Sequence, residues 1–342
     1  MKKKQLVKRF FLYGFMGFAC LFFSMETKAA SQKLSDFGYE LQGFAYPWPV
    51  SQFSFQSQKN TLHMAYMDVS PVKPNGQVAV LLHGKNFCAA TWESTIHILV
   101  QHGYRVIAPD QIGFCKSSKP RAYQFTFAQL ASNTNALLKH LKISRVVVIG
   151  HSTGGMLGIR YALMFPQEVA KLVLVDPVGL EDWQAKGVPY RTVDEWYKRE
   201  RGKTAEQIRA YERKVYYAGE WKPVYEPWVQ MLAGMYQGTG ADDVAWNSAL
   251  LYDMIATQPV IYDLHRLKPP TTLIIGDKDV TAIGSDGASA EVQARLGHYP
   301  ELGRQAAAVI PHATLIEFPT LGHTPQLQDP EAFHRALINA LN

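Results

Sequence analysis

Short unbroken apolar runs, most of them closed by glycine, aspartate or histidine, recur along this chain, separated by longer stretches with apolar residues at helical spacing. The runs are 78–82, 104–110, 146–149, 172–176, 272–276 and 314–318, with a less uniform one at 62–69. Four or more apolar β-formers without alternation predict a strand covered on both faces, as in a parallel sheet. Residues 92–101, 127–141 and 330 to the end carry the helical period. Strand and helix in repeated alternation predict an α/β fold: a mostly parallel sheet with helices on both faces. The stretch 44–50 holds Pro47 and Pro49 and is too proline-rich for a central strand.

One segment breaks this rhythm. Between residues 179 and 265 no buried strand is legible; the sequence instead supplies Trp183, Trp196, Trp221, Trp228, Trp246, many tyrosines and charged helical stretches such as 203–215. That predicts a helical insertion between two strands of the sheet. Most of its aromatics are expected to pack helix on helix, and only a few to face a ligand if the insertion lies over the strand ends as a lid.

The N-terminus reads differently again. A basic start through Lys8 and Arg9, an aromatic-rich apolar run over 10–25 and small residues at 27–29 form the pattern of a secretory signal peptide, with an apolar run short for a membrane span. An uncleaved anchor is the alternative, and would be the chain's one contact with a membrane. The expected organisation is therefore a leader over 1–29, a core over 30–178, the insertion over 179–265 and the rest of the core over 266–342, in a periplasmic or secreted protein. The formal charge of +6 shrinks once the leader is set aside: the remainder holds 29 basic and 28 acidic residues, a balance of +1. A basic pI that resides in the leader is no argument for nucleic-acid binding. Cys88 and Cys115 each follow a strand end by a few residues, so export permits a disulfide between them, against two buried thiols as the alternative.

The run over 146–149 ends in Gly150-His151-Ser152-Thr153-Gly154 and is followed by a helical pattern. G-x-S-x-G between a buried strand and a helix is the nucleophile elbow, a bend that holds the serine hydroxyl clear of the sheet. With it stand three other blocks: His83-Gly84-Lys85-Asn86-Phe87, Ala108-Pro109-Asp110-Gln111-Ile112-Gly113 and Leu321-Gly322-His323-Thr324-Pro325. In these four blocks, and over nearly the whole chain from about residue 62, the sequence resembles the α/β-hydrolase superfamily. A serine needs a base, and the base needs an acid. The resemblance implies His323 as base, in a Gly-His loop after the last strand, and Asp279 as acid, three residues beyond Gly276. Asp277 and Asp176 are the rival acids. His151 is expected to point away from the site and His83 to brace its loop, while His298 and His312 lack a fitting loop.

The same resemblance implies an oxyanion hole from the backbone N–H groups of Lys85 and Thr153. The Lys85 side chain is expected to face solvent, with a cation placed near the site as the alternative. Relatives carry Asp-x-x-Gly-x-Gly-x-Ser after the fourth strand; here Cys115 occupies the second glycine position, so either the turn differs or the cysteine is used. Serine at the elbow argues against haloalkane dehalogenase and epoxide hydrolase chemistry, which needs an aspartate there. It fits acyl transfer to water, and the expected activity is hydrolysis of a carboxylic ester, a small-molecule substrate, without cofactor. C–C bond, lactone or amide hydrolysis and perhydrolysis use the same triad and stay open, as does a non-catalytic binding protein. No metal-ligand spacing of the Cys-x-x-Cys or His-Glu-x-x-His kind and no phosphate-cradling loop is present.

Overall fold

The structure, a computed structural model, describes residues 35–342; the expected leader lies outside the described residues. Eight strands form one sheet: β1 (Val50–Ser57), β2 (Asn60–Val69), β3 (Val78–Leu82), β4 (Arg105–Pro109), β5 (Val146–His151), β6 (Val169–Val175), β7 (Thr271–Gly276) and β8 (Ala313–Phe318). Their order across the sheet is β1-β2-β4-β3-β5-β6-β7-β8. The β1–β2 and β2–β4 pairs are antiparallel and all others parallel. The helices are α1 (Glu93–Gln101), α2 (Phe127–His140), α3 (Thr153–Met164), α4 (Val193–Arg201), α5 (Ala205–Val215), α6 (Glu226–Met235), α7 (Ala241–Thr257), α8 (Ala290–Gln293), α9 (Tyr299–Val309), α10 (Pro325–Gln328) and α11 (Pro330–Leu341).

The unbroken apolar runs follow from two covered faces. On one, Val147 and Ile149 of β5 join Ala79, Leu81 and Val173 beneath Trp92, Ile96 and Leu99 near α1 and Phe333 and Leu337 of α11. On the other, Val146 and Val148 join Val80, Leu172 and Leu174 beneath side chains of α2, α3 and α9. Every residue of β5 is buried. Removing each such aliphatic side chain from water contributes about 1.5–3 kcal/mol before the entropy of ordering is charged.

The edge departs from the sequence reading, which placed no strand before residue 62. β1 pairs with β2 over eight residues, with Ser57 opposite Asn60 at the hairpin. Its signal was a weak period-two pattern, half exposed along its length, in which Phe53 and Phe55 stack at 5.2 Å. An edge strand needs only one bonded neighbour and one apolar face, so no continuous run announces it. Pro47 and Pro49 lie just before it.

Among the described residues no strand lies between β6 and β7; the chain there forms α4 to α7. Thr192 with Glu195 and Thr204 with Gln207 make capping boxes that start α4 and α5. Aromatic pairs fasten the segment together: Trp196 stacks on Tyr252 at 4.6 Å and Tyr217 on Tyr225 at 3.7 Å. No helix of the described residues is long and apolar enough to cross a membrane.

Candidate active site

Ser152 sits between the last residue of β5 and the first of α3 with φ 56° and ψ −120°, a backbone conformation few side chains tolerate. It is held there from both sides. Its N–H donates to the Val175 carbonyl at 3.0 Å, and its carbonyl accepts from Gly155 at 2.9 Å. The bend closes only because its neighbours lack side chains. A Cβ on Gly154 would fall on the Leu82 carbonyl oxygen, and one on Gly150 on the carbonyl oxygen of Gly154. The serine is 6% exposed, so the elbow lies beneath a cover.

His323 and Asp279 meet at the ends of β8 and β7. The Nδ1–H of His323 donates to Asp279 Oδ2 at 2.6 Å, with both side chains fully buried. The second carboxylate oxygen accepts the Thr281 backbone N–H at 2.8 Å and its hydroxyl at 2.6 Å, which fixes the carboxylate plane. His323 Nε2 has no protein partner, so it is available for a proton. The two loops approach through glycine again: a Cβ on Gly276 would strike the Gly322 carbonyl oxygen. Asp176 accepts the Gly276 N–H at 2.8 Å, and burial, then the Asp279 charge, hold its carboxyl well above the usual range. Asp279, not Asp176, is the carboxyl that is hydrogen-bonded to the histidine. Asp277 is hydrogen-bonded through its backbone N–H to Phe318.

His151 overturns one expectation. Its Nε2–H donates to the His323 carbonyl at 2.7 Å, and the two rings lie 4.9 Å apart, so it points toward the base loop. Burial, then the neighbouring His323, keeps its pKa well below the ordinary histidine range. The ring packs among Phe87, Trp92 and His323. The alternation of β5 could not foretell this, because the strand ends at His151 and the turn sets the rotamer.

Opposite the serine runs the loop from β3. A Cβ on Gly84 would come within 3.1 Å of Ser152 Cβ, so Lys85 begins directly beside the nucleophile. Among the described residues neither the Lys85 nor the Thr153 amide donates to a protein acceptor. His83 braces this loop: it accepts from the Gln111 N–H at 3.1 Å and donates from Nδ1 to the Gly84 carbonyl at 2.8 Å. Buried Asp110 anchors the next turn, accepting from Ala89 N–H at 2.8 Å, Tyr46 hydroxyl at 2.7 Å and Lys116 N–H at 3.1 Å. Cys88 and Cys115 are disulfide-bonded, with Cα atoms 5.8 Å apart. Cys115 has φ 45°, so the turn keeps the left-handed geometry of the glycine it replaces while the side chain is used. Lys119, its pKa lowered to about 7 by burial, donates to the Cys115 carbonyl at 2.6 Å.

The Lys85 side chain does not face solvent. It passes into the helical segment, donates to Ser248 Oγ at 2.6 Å, lies 3.8 Å over the Tyr252 ring and stands 3.7 Å from Glu200. Burial lowers its pKa to about 7 against the pull of Glu200. Glu200 itself is held far below the usual carboxylate range: burial opposes the charge, but Lys203, Lys85 and a hydrogen bond from Ser248 outweigh it. Tyr216, from the same segment, stacks 5.0 Å from the His323 ring, and its carbonyl accepts from the Thr324 hydroxyl at 3.1 Å. None of these residues belongs to a motif, so sequence offered no signal for them beyond the position of Lys85 after His83-Gly84. A cavity of about 400 Å³ opens between this segment and the β3 loop, lined by Asn86, Arg199, Lys203, Tyr211 and Tyr252 among others.

Ser152, Thr153, Lys85, Asp279 and His323 thus gather at the carboxyl ends of β3, β5, β7 and β8, where open α/β sheets carry their sites. A family model described as alpha/beta hydrolase fold matches residues 78–330. The chain belongs to that family. It is similar to a probable hydrolytic enzyme of Pseudomonas aeruginosa PAO1, a solved structure 59% identical, with a TM-score of 0.90 over 91% of this chain and 100% of the other. It also matches an uncharacterized protein of Mycobacterium tuberculosis, 36% identical over 36% of this chain and 35% of the other. A third relative is the 2-hydroxy-6-oxo-2,4-heptadienoate hydrolase of Pseudomonas putida, 33% identical over 31% of this chain and 39% of the other. The chain spans little more than a third of the length of these curated relatives.

Proposed function

We propose that the protein is a serine hydrolase that cleaves a carboxylic ester through an acyl-enzyme on Ser152. The observation that carries the reading is the buried 2.6 Å bond from His323 Nδ1 to Asp279, which fixes the orientation of the ring and leaves its Nε2 without a protein partner. In this reading Ser152 attacks the ester carbonyl as its hydroxyl proton passes to His323 Nε2. The new Oγ–C bond leaves an oxyanion that the Lys85 and Thr153 amides receive. Collapse breaks the C–O bond, and the alcohol leaves with the proton from His323. Water, deprotonated by the same nitrogen, then attacks the acyl-enzyme and frees the acid and Ser152. Segment α4–α7 serves as the lid, since it supplies Tyr216 to the base and Lys85's partners to the oxyanion loop. The disulfide beside that loop supports residence in an oxidising compartment, and with it export.

Turnover of p-nitrophenyl esters of rising chain length tests this beside Ser152→Ala. The expected loss in the variant is 10³-fold or more in kcat. Unchanged turnover in Ser152→Ala would end the reading. A second reading, C–C bond hydrolysis with the same triad, is favoured by the name of the Pseudomonas putida relative. It is adopted if a fluorophosphonate labels Ser152 while no ester is turned over.

A further inference from the structure

The wall of the cavity beside the triad holds two basic side chains and no carboxylate. Arg199 and Lys203 line it, and Lys85 and Arg191 stand behind them. Glu200 is shared by Lys203 at 2.7 Å and Lys85 at 3.7 Å; Asp286 is shared by Arg199 at 2.7 Å and Arg191 at 3.2 Å. Glu195 also acts on Arg191, and Lys85, its pKa lowered to about 7, is only partly charged at neutral pH. The further acid nearby, Glu212 of α5, is pushed up to about 8 by burial and is uncharged at neutral pH. Glu200 also accepts from Ser248 and from the Tyr236 hydroxyl at 2.7 Å.

A buried polar atom of a lining residue also has no protein partner. Asn86 is 6% exposed and lines the cavity, its amide nitrogen donates to the Tyr216 hydroxyl at 2.9 Å, and its Oδ1 has no protein partner. As an acceptor this oxygen can take a hydrogen bond from water or from a donor on the ligand but not from a carboxylate, so it bears on the body of a ligand and not on its anionic end. The cavity is close to the chemistry. Asn86 follows Lys85 directly, and Tyr216, its hydrogen-bond partner, stacks on His323. Tyr211, from the far wall, lies 5.4 Å from Tyr216. Tyr211, Tyr252, Ile208 and Leu232 give the remaining wall an apolar and aromatic surface.

We infer that this cavity accepts the anionic end of the substrate, and that the protein acts on esters bearing a carboxylate a few bonds from the scissile carbonyl. The inference rests on the ester reading for its reaction and on Arg199 and Lys203 for its specificity. An ionised carboxylate there gains charge-assisted hydrogen bonds from a planar guanidinium and an ammonium in a half-enclosed site. Residues 30–342 hold 29 basic and 28 acidic residues, so two basic side chains on one cavity wall are not a by-product of a basic surface.

The test compares kcat/KM for paired esters. Mono-4-nitrophenyl glutarate is set against 4-nitrophenyl butyrate, and 4-carboxyphenyl butyrate against its methyl ester, so that the anion is on the acyl side in one pair and the leaving-group side in the other. The wild type should favour the anionic member of at least one pair tenfold or more. Arg199→Gln, which leaves Asp286 with Arg191, and Lys203→Met, which leaves Glu200 with Lys85, should each bring that ratio toward one. Ratios at or below one for both pairs, or a preference that survives both variants, would overturn the inference while leaving the ester reading standing. If no ester is turned over, binding to Ser152→Ala decides. 5-Phenylvalerate held at least tenfold more tightly than 5-phenylpentanol, with the difference removed by Arg199→Gln, upholds the anion site alone; equal binding overturns it.

Discussion

The turn at Ser152 and the helical segment over α4–α7 reach a fixed structure by opposite means. At the turn, the chain is held by what its side chains lack: Gly150, Gly154 and Gly155 let β5 and α3 come so close that any Cβ would meet backbone or Pro177. In the segment, the chain is held by what its side chains carry. Trp196 lies between Tyr252 on one side and the guanidinium of Arg191, 4.5 Å from its ring, while Glu200 gathers Lys85, Lys203, Ser248 and Tyr236. A steric requirement admits one residue type and leaves a motif. A network of charges and rings admits many solutions and leaves none, and so the reaction is easier to read than the substrate.

The largest effect that would break the contrast lies in the acid. Asp279→Asn should lower kcat/KM for a turned-over substrate by 10³- to 10⁴-fold with little loss of folded protein, since Thr281 still donates to the amide oxygen. Retention of activity would move the acid's role to Asp176. Next comes the elbow's steric lock. Gly154→Ala places a methyl on the Leu82 carbonyl, so we expect at least a hundredfold loss of activity and a clear drop in Tm, read by calorimetry and turnover together.

A smaller, pH-dependent effect belongs to the segment. Glu212 is buried with both carboxylate oxygens unpartnered, and burial, then Glu226, pushes its pKa up to about 8 from 4.5. Its folded form binds a proton that the unfolded chain has released, so stability is full below about pH 4.5 and falls as pH rises through 8. Glu212→Gln should therefore match the wild type in Tm near pH 5 and exceed it by several degrees near pH 9. A constant difference across that range would contradict the assignment. The smallest effect is the control for the glycine argument. A Cβ on Gly202, at the end of α4 with φ −93°, meets nothing, so Gly202→Ala should shift stability by no more than about 1 kcal/mol.

The same contrast explains what was legible. The parallel core was readable because Val146 to Ile149 must be apolar on both faces, and Ser152 and His323 because glycines fence them. β1 was not, because an edge strand with Phe53 and Phe55 on one face needs no continuous run. His151 was read as turned away, yet it braces the His323 loop; sequence gives its place next to the serine but not its rotamer. Lys85 was read as exposed for a related reason. Its backbone role follows from the loop, but its side chain meets Ser248 and Glu200, residues 163 and 115 positions distant, which only the folded chain brings together. Cys115 stood where a glycine was expected, and of the two explanations offered the turn does not differ, since it keeps the left-handed geometry, while the cysteine is used in the disulfide.

The central claim is that Ser152 is a nucleophile activated through His323. Its most direct test is intact and peptide mass spectrometry after brief exposure to a small fluorophosphonate, on the wild type, Ser152→Ala and His323→Ala. The account predicts one adduct per chain, on the peptide containing Ser152, none in Ser152→Ala, and labelling slowed by at least a hundredfold in His323→Ala. An adduct on another residue, or labelling that proceeds at the same rate without His323, would contradict it.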